Sequence, residues 1–191
     1  IGSPWYVDSR GDVLKNNVMR KYLCLILLLT CLTLRSANNS PRTQLIHETQ
    51  QYLDKFNSPL NARKLVDLCI KHDVPVSLAL AQGHQESHLG TRGQARKTFS
   101  VWGVGAWDTS PIKTKKRTRY KSFDDSIEPY IMLVRRYIDE RGYPGILKNF
   151  SRGKHRYAGD PNYETKIRAH IDNINKNTNI RKLYIQCQKQ K

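Results

Sequence analysis

The chain has 191 residues, with 33 Lys plus Arg against 16 Asp plus Glu and a formal charge of +17. That length is one domain's worth of chain, and 38% hydrophobic residues supply a core, which excludes wholesale disorder. With 11 Gly and 8 Pro a collagen-like chain is excluded, and a single long apolar run excludes a polytopic membrane protein.

In chain order, the apolar run comes first. Met19 is followed by Arg20 and Lys21, then by the mainly apolar residues Tyr22 to Leu34. A positive start and a short apolar stretch are the pattern of an export signal, and the stretch is too short for a comfortable membrane span. Residues 1–18 then read as an upstream or non-native segment, 19–37 as a signal peptide or a membrane or lipid anchor, and 38–191 as the folded domain. Ala37 could end a cleaved leader, although Arg35 stands where a small residue is wanted. Leu28-Leu29-Thr30-Cys31 loosely resembles a lipoprotein box, and retention as an anchor is the third outcome. The sequence does not choose among them. Cys24 and Cys31 lie in this segment, so Cys69 and Cys187 are the thiols of the domain, free to pair only in an oxidising compartment.

Ser40-Pro41 is an N-cap followed by Pro at the first helical position, with Leu45, Ile46, Tyr52, Leu53 and Phe56 on one face. A second helix runs from Asn61 to about Lys71, with Leu65, Val66, Cys69 and Ile70 inward. A third, rich in small residues, spans Pro75 to about His88 and closes on Leu89-Gly90 as a C-terminal glycine turn. Periodicity then vanishes from Thr91 to Lys121, which reads as loop and short hairpin. Asp125-Ser-Ile-Glu128 has the residues of a capping box before a fourth helix carrying Ile127, Tyr130, Ile131, Val134, Tyr137 and Ile138. A short helix follows Pro144. Asp160-Pro161 caps the last long helix, with Tyr163, Ile167, His170, Ile171 and Ile174 inward. The class is mainly α, with a small irregular or β insertion.

The domain without residues 1–37 keeps 28 basic and 14 acidic residues. Such a charge favours a polyanion: nucleic acid, an anionic membrane, or a bacterial wall. The densest run, Lys113 to Lys121, reads first as a solvated loop.

The chemistry-bearing feature is Ala81-Gln-Gly-His-Gln-Glu86-Ser-His-Leu-Gly90. Glu86 falls in the last turn of its helix, where the macrodipole is negative and disfavours ionisation. Its pKa should therefore rise, and a carboxyl held protonated near neutral pH is what a general acid for a glycosidic oxygen requires. His84 and His88 flank it, but two residues of helix turn Glu86 about 200° from His84. A zinc-peptidase helix instead has its Glu directly after the first His. With no third ligand in the pattern, neither metal nor cofactor is expected. Trp102 and Trp107, in a Gly-rich segment, have flat faces suited to stacking on pyranose rings, and Trp102 is equally suited to closing the core of the small lobe.

Taken together these residues resemble a family. Leu80-Ala81-Gln82 with Glu86-Ser87 and Gly90 is similar to the catalytic-helix signature of the peptidoglycan-cleaving β-N-acetylglucosaminidases related to flagellar muramidase-like enzymes, glycoside hydrolase family 73. Ser100-Val-Trp-Gly103-Val104 stands where that family has an Asn-Leu-Phe-Gly-Ile segment. Tyr120-Lys-Ser-Phe123 and Asp125-Ser126-Ile127 with Tyr130 match further elements. Tyr157-Ala-Gly-Asp160-Pro161-Asn-Tyr163 resembles its Tyr-Ala-Thr-Asp-Pro-x-Tyr block. The resemblance implies a lysozyme-like α+β fold in which a helical lobe and a small irregular or β lobe form a cleft. It also implies hydrolysis of N-acetylglucosamine bonds in peptidoglycan glycan strands, outside the cytoplasm. Glu86 would be the general acid, with the Tyr157 hydroxyl facing the reacting sugar and Ser87, Trp102, Trp107 and Tyr120 lining the substrate. His88 replaces an aromatic residue and Ser100 an Asn. Residues 109–123 hold no acidic side chain, so Asp108 is the nearest candidate for a second carboxylate.

Three other readings stand beside this one. A lytic transglycosylase or muramidase shares the helix-borne Glu but cuts the other glycosidic bond. A wall-binding or virion structural protein would keep the fold without the chemistry. A nucleic-acid binder is supported by charge alone, without a recognition motif, so no specific nucleic acid is expected.

Overall fold

Pro41, with no N–H to leave unsatisfied, opens helix α1 (Pro41–Asp54), whose Leu45, Tyr52 and Leu53 are buried. The computed structural model describes residues 40–104, 119–143, 145–146 and 157–191, and from Pro41 on these belong to the compact unit Pro41–Lys191. Residues 1–37, the greater part of the proposed hairpin with Trp107 and Asp108, and most of the segment after Pro144 lie outside the described residues.

Helix α2 (Ala62–Lys71) is capped by Asn61, whose side chain accepts from Lys64 N at 3.0 Å. Helix α3 (Val76–Ser87) is the centre of the fold: Val76 to Gly83 are all buried, against α2, α6 and α7. Its small residues permit that. A Cβ on Gly83 would lie 3.1 Å from Trp102 Nε1 and 3.2 Å from both Leu89 and Val101, so those side chains would have to give by a few tenths of an ångström. A one-turn helix α4 (Ala95–Thr98) follows. A 3₁₀ turn at Asp124–Ser126 leads into α5 (Ile127–Arg141), which buries Ile127, Tyr130, Ile131 and Val134. Helix α6 (Tyr163–Asn177) packs on α3, and α7 (Ile180–Lys189) packs on α1.

The domain is mainly α, as the periodicity implies, and among the described residues there is no strand. Four local expectations need correction. Helix α3 does not end on Gly90. It stops at Ser87, and His88 and Leu89 both take left-handed backbone, with φ of 52° and 59°. Backbone bonds from His88 N to His84 O and from Leu89 N to Gly83 O, both 2.9 Å, force this turn, and Ser58 Oγ donates to Leu89 O at 2.8 Å. A left-handed conformation on side chains of this size costs of order 1 kcal/mol each.

The capping box at Asp125 does not form. The chain enters α5 through the 3₁₀ turn, and Asp125 pairs instead with Lys64 at 3.6 Å. Asp160 lies two residues before the N-cap of α6. Its Oδ1 accepts from Asn162 N at 2.9 Å and its Oδ2 from Lys166 Nζ at 2.6 Å, so it braces the approach to the helix.

Finally, α6 is not the last helix. Thr178 breaks the chain, and Glu48 of α1 accepts from Asn179 N at 3.3 Å and from Asn179 Nδ2 at 3.2 Å, starting α7 with Ile180, Leu183 and Cys187 inward. Cys69 and Cys187 are both buried and free.

Candidate active site

Glu86 occupies the last turn of α3, at the negative end of the helix dipole. It is exposed to solvent, with protein close enough around it to desolvate the carboxyl in part. Desolvation by that surrounding protein raises its pKa, and a hydrogen bond from Tyr163 opposes the rise. The Tyr163 hydroxyl donates to Glu86 Oε1 at 2.7 Å. Burial holds that phenol in its protonated form, so it remains a donor across the physiological range.

The other carboxylate oxygen faces Gly103, where a Cβ would lie 3.8 Å from Oε2. Gly103 has φ of +67°, which glycine adopts without strain, and the bare backbone leaves that oxygen uncrowded by a side chain there.

Behind Tyr163 lies a buried polar chain. Gln82, one helical turn before Glu86 and on the same face, donates from Nε2 to the Tyr163 hydroxyl at 3.3 Å. The Tyr130 hydroxyl donates to Gln82 Oε1 at 2.8 Å. Gln82 and Tyr130 are both 0% exposed. Sequence reasoning placed Gln82 in the helix signature without a role and assigned Tyr163 to the core. The available signal was the i, i+4 spacing of two polar side chains, Gln82 and Glu86, on an otherwise apolar helix.

Tyr157, expected to present its hydroxyl to the sugar, donates it to Trp102 O at 2.8 Å, with its ring 5.7 Å from that of Tyr163. Tyr120 is half-buried near the entrance of the Gly103 segment and reaches Val104 O at 3.5 Å.

Two expected substrate-binding residues are committed elsewhere. Trp102 is 2% exposed and stacks on Tyr130 at 4.3 Å with an interplanar angle of 11°. Its Nε1–H donates to Ala79 O at 2.8 Å, so both its face and its donor are used inside the core and it cannot stack on a sugar. Ser87 is buried, and its Oγ donates to Val101 O at 2.7 Å while accepting from Gly90 N at 2.8 Å. It is a clamp between the helix end and the Gly103 segment. Trp107 and Asp108 lie outside the described residues.

His84 and His88 point away from Glu86 and meet a third imidazole, His170 of α6. The ring centroids are 4.4 Å apart for His84–His88 and 4.5 Å for His84–His170, with Phe56 edge-on to His84 at 4.8 Å. Among the described residues no group of three His, Cys, Asp or Glu side chains is arranged to hold a metal ion.

A carboxyl whose pKa desolvation raises, with a phenol donating to the carboxylate left once the proton leaves, can serve as an acid toward a leaving oxygen. No curated protein matches the chain at a significant level. Residues 62–176 do match a family model, Glucosaminidase, described as mannosyl-glycoprotein endo-β-N-acetylglucosaminidase, and the matched stretch runs from the start of α2 almost to the end of α6. With that match covering more than half its length, the chain belongs to the glucosaminidase family of glycoside hydrolases.

Proposed function

We propose that the protein cleaves the β-1,4 bonds of N-acetylglucosamine in peptidoglycan with Glu86 as the general acid. The observation that carries this is the setting of Glu86: last turn of a buried helix, pKa raised, and one oxygen held by the Tyr163 hydroxyl. In the reaction, the Glu86 proton passes to the glycosidic oxygen as the bond from that oxygen to C1 breaks, and positive charge develops on the sugar. Water then adds its OH at C1, and the proton that it gives up restores, directly or through solvent, the one Glu86 passed to the leaving oxygen. We assign the second group of the reaction to Asp108. An unimpaired Asp108→Asn variant would transfer that role to another group that activates the water or to the substrate's own N-acetyl oxygen.

The basic surface supports a wall polymer carrying carboxylates and phosphates over a neutral glycan. The Met19 to Leu34 segment supports export, to the envelope or beyond it, with residues 19–37 cleaved, lipidated at Cys31 or retained as an anchor. Among the described residues no helix is long and apolar enough to cross a membrane.

The test is digestion of purified peptidoglycan by the 191-residue chain and by its Glu86→Gln variant, with released ends identified by mass spectrometry. Reducing N-acetylglucosamine ends from the wild type alone would support both the bond and the acid. Reducing or anhydro-muramic ends would move the bond. Wall binding without release from either protein would leave a binding module.

A further inference from the structure

An ionised carboxylate only accepts hydrogen bonds, and that fixes the direction of every bond behind Glu86. With Glu86 ionised, the Tyr163 hydroxyl must donate to Oε1, as it does at 2.7 Å. Its oxygen is then left as an acceptor, and the amide donor facing it is Gln82 Nε2 at 3.3 Å, with the Tyr157 hydroxyl also beside it. An amide turned that way presents Oε1 to Tyr130, whose hydroxyl supplies the proton at 2.8 Å. The Tyr130 ring is itself held flat against Trp102. Because Gln82 and Tyr130 are fully buried, bulk water does not compete for their polar atoms.

We propose that Gln82 and Tyr130 are positioning residues for the glycosidase reaction. They lock the Tyr163 hydroxyl as a donor to Glu86 and so stabilise the carboxylate that remains when the proton has gone to the leaving oxygen. This rests on the reading of Glu86 as the proton donor.

The effect is differential. Toward a protonated Glu86 the Tyr163 bond is an ordinary neutral one, whereas toward the carboxylate it is charge-assisted and about twice as strong. Each donor along the chain polarises the next, so the support grows as the proton leaves. The titratable groups that face Glu86 from neighbouring elements are Tyr130 of α5, Tyr163 of α6 and Tyr157, whose hydroxyl is engaged by Trp102 O. None of the three ionises in the range where a carboxylic acid does.

The experiment measures kcat, KM and the pH profile of kcat/KM on soluble glycan fragments, together with the melting temperature. It uses the 191-residue chain and its Gln82→Met, Tyr130→Phe and Glu86→Gln variants. Gln82→Met is expected to lower kcat about tenfold with KM little changed. It should also move the alkaline limb of kcat/KM to higher pH, since a less stabilised carboxylate holds its proton longer. Tyr130→Phe should act in the same direction and less strongly. Folded Gln82→Met and Tyr130→Phe proteins with the wild-type alkaline limb, whether or not kcat falls, would overturn the positioning role. Should Gln82→Met melt below the assay temperature, Tyr130→Phe alone decides. An active Glu86→Gln variant is a separate result: it removes the reading of Glu86 itself, and no behaviour of the Gln82 variant can imitate it.

Discussion

Tyr163, in the first turn of α6, donates a 2.7 Å hydrogen bond to Glu86 in the last turn of α3, from 77 positions away in sequence. Two opposing influences thereby meet on one carboxyl group, with desolvation favouring the acid and the phenol favouring the anion. Tyr163→Phe removes the second influence only. The Glu86 pKa should then rise further, and the alkaline limb of kcat/KM should move to higher pH. Loss of a hydrogen bond to a charged group is worth about 1.5–3 kcal/mol, so kcat should fall roughly ten- to hundred-fold. A pH–rate series on glycan fragments checks both the size and the direction. A limb that moves to lower pH would contradict this account of the site.

Trp102 bears on what binds the sugar. Its indole fills the space above Gly83, stacks on Tyr130 and donates to Ala79 O. Trp102→Phe should therefore cost stability, about 2 kcal/mol or more from lost volume and the lost indole hydrogen bond. That corresponds to a melting temperature lower by roughly 4–8 °C. In the protein that remains folded, KM for glycan fragments should stay near the wild-type value. A raised KM at unchanged melting temperature would return Trp102 to the substrate.

The contrast between these residues explains what was legible in the sequence. The helices could be read because burying one face leaves a periodic trace, as at Leu65, Val66 and Cys69 or at Ile127, Tyr130, Ile131 and Val134. The place of Glu86 at a helix end was equally local. Helix α7 was missed although Ile180, Leu183 and Cys187 carry the same spacing, because the polar run from Asn175 to Asn179 reads as a chain end. Tyr163 and Trp102 could not be assigned locally. Each has a ring in the core and one polar atom, and only the folded chain decides whether that atom meets a carboxylate or a backbone carbonyl.

Ser87 ties the end of α3 to two neighbours through one hydroxyl, donating to Val101 O and accepting from Gly90 N. It also sits beside two residues in left-handed backbone, His88 and Leu89, whose strain the surrounding bonds must hold. Ser87→Ala leaves a buried carbonyl and a buried N–H without that partner. The expected loss is about 1–3 kcal/mol, a fall of roughly 3–8 °C in melting temperature. Because the hydroxyl is buried and bonded within the protein, KM should be unaffected. Thermal denaturation together with a Michaelis series separates the two roles.

The imidazoles of His84, His88 and His170 lie on the side of α3 away from Glu86, with Arg92 close enough to add to their mutual repulsion. Burial, then His170, His88 and Arg92, push His84 down to about 4, and burial also lowers His88 and His170. In the unfolded chain each histidine titrates near its ordinary value of about 6.5. Between that value and the lower folded ones, the unfolded state binds more protons, so the domain loses stability as the pH falls. The contribution is fully present above pH 6.5 and declines toward about 4, the value for His84. Urea midpoints should therefore drop from pH 7.5 to pH 5, and His170→Gln should flatten that drop by removing one imidazole and one repulsive neighbour. Midpoints that rise on acidification would mean that the cluster gains stability from protonation, the opposite of what its crowding and burial imply.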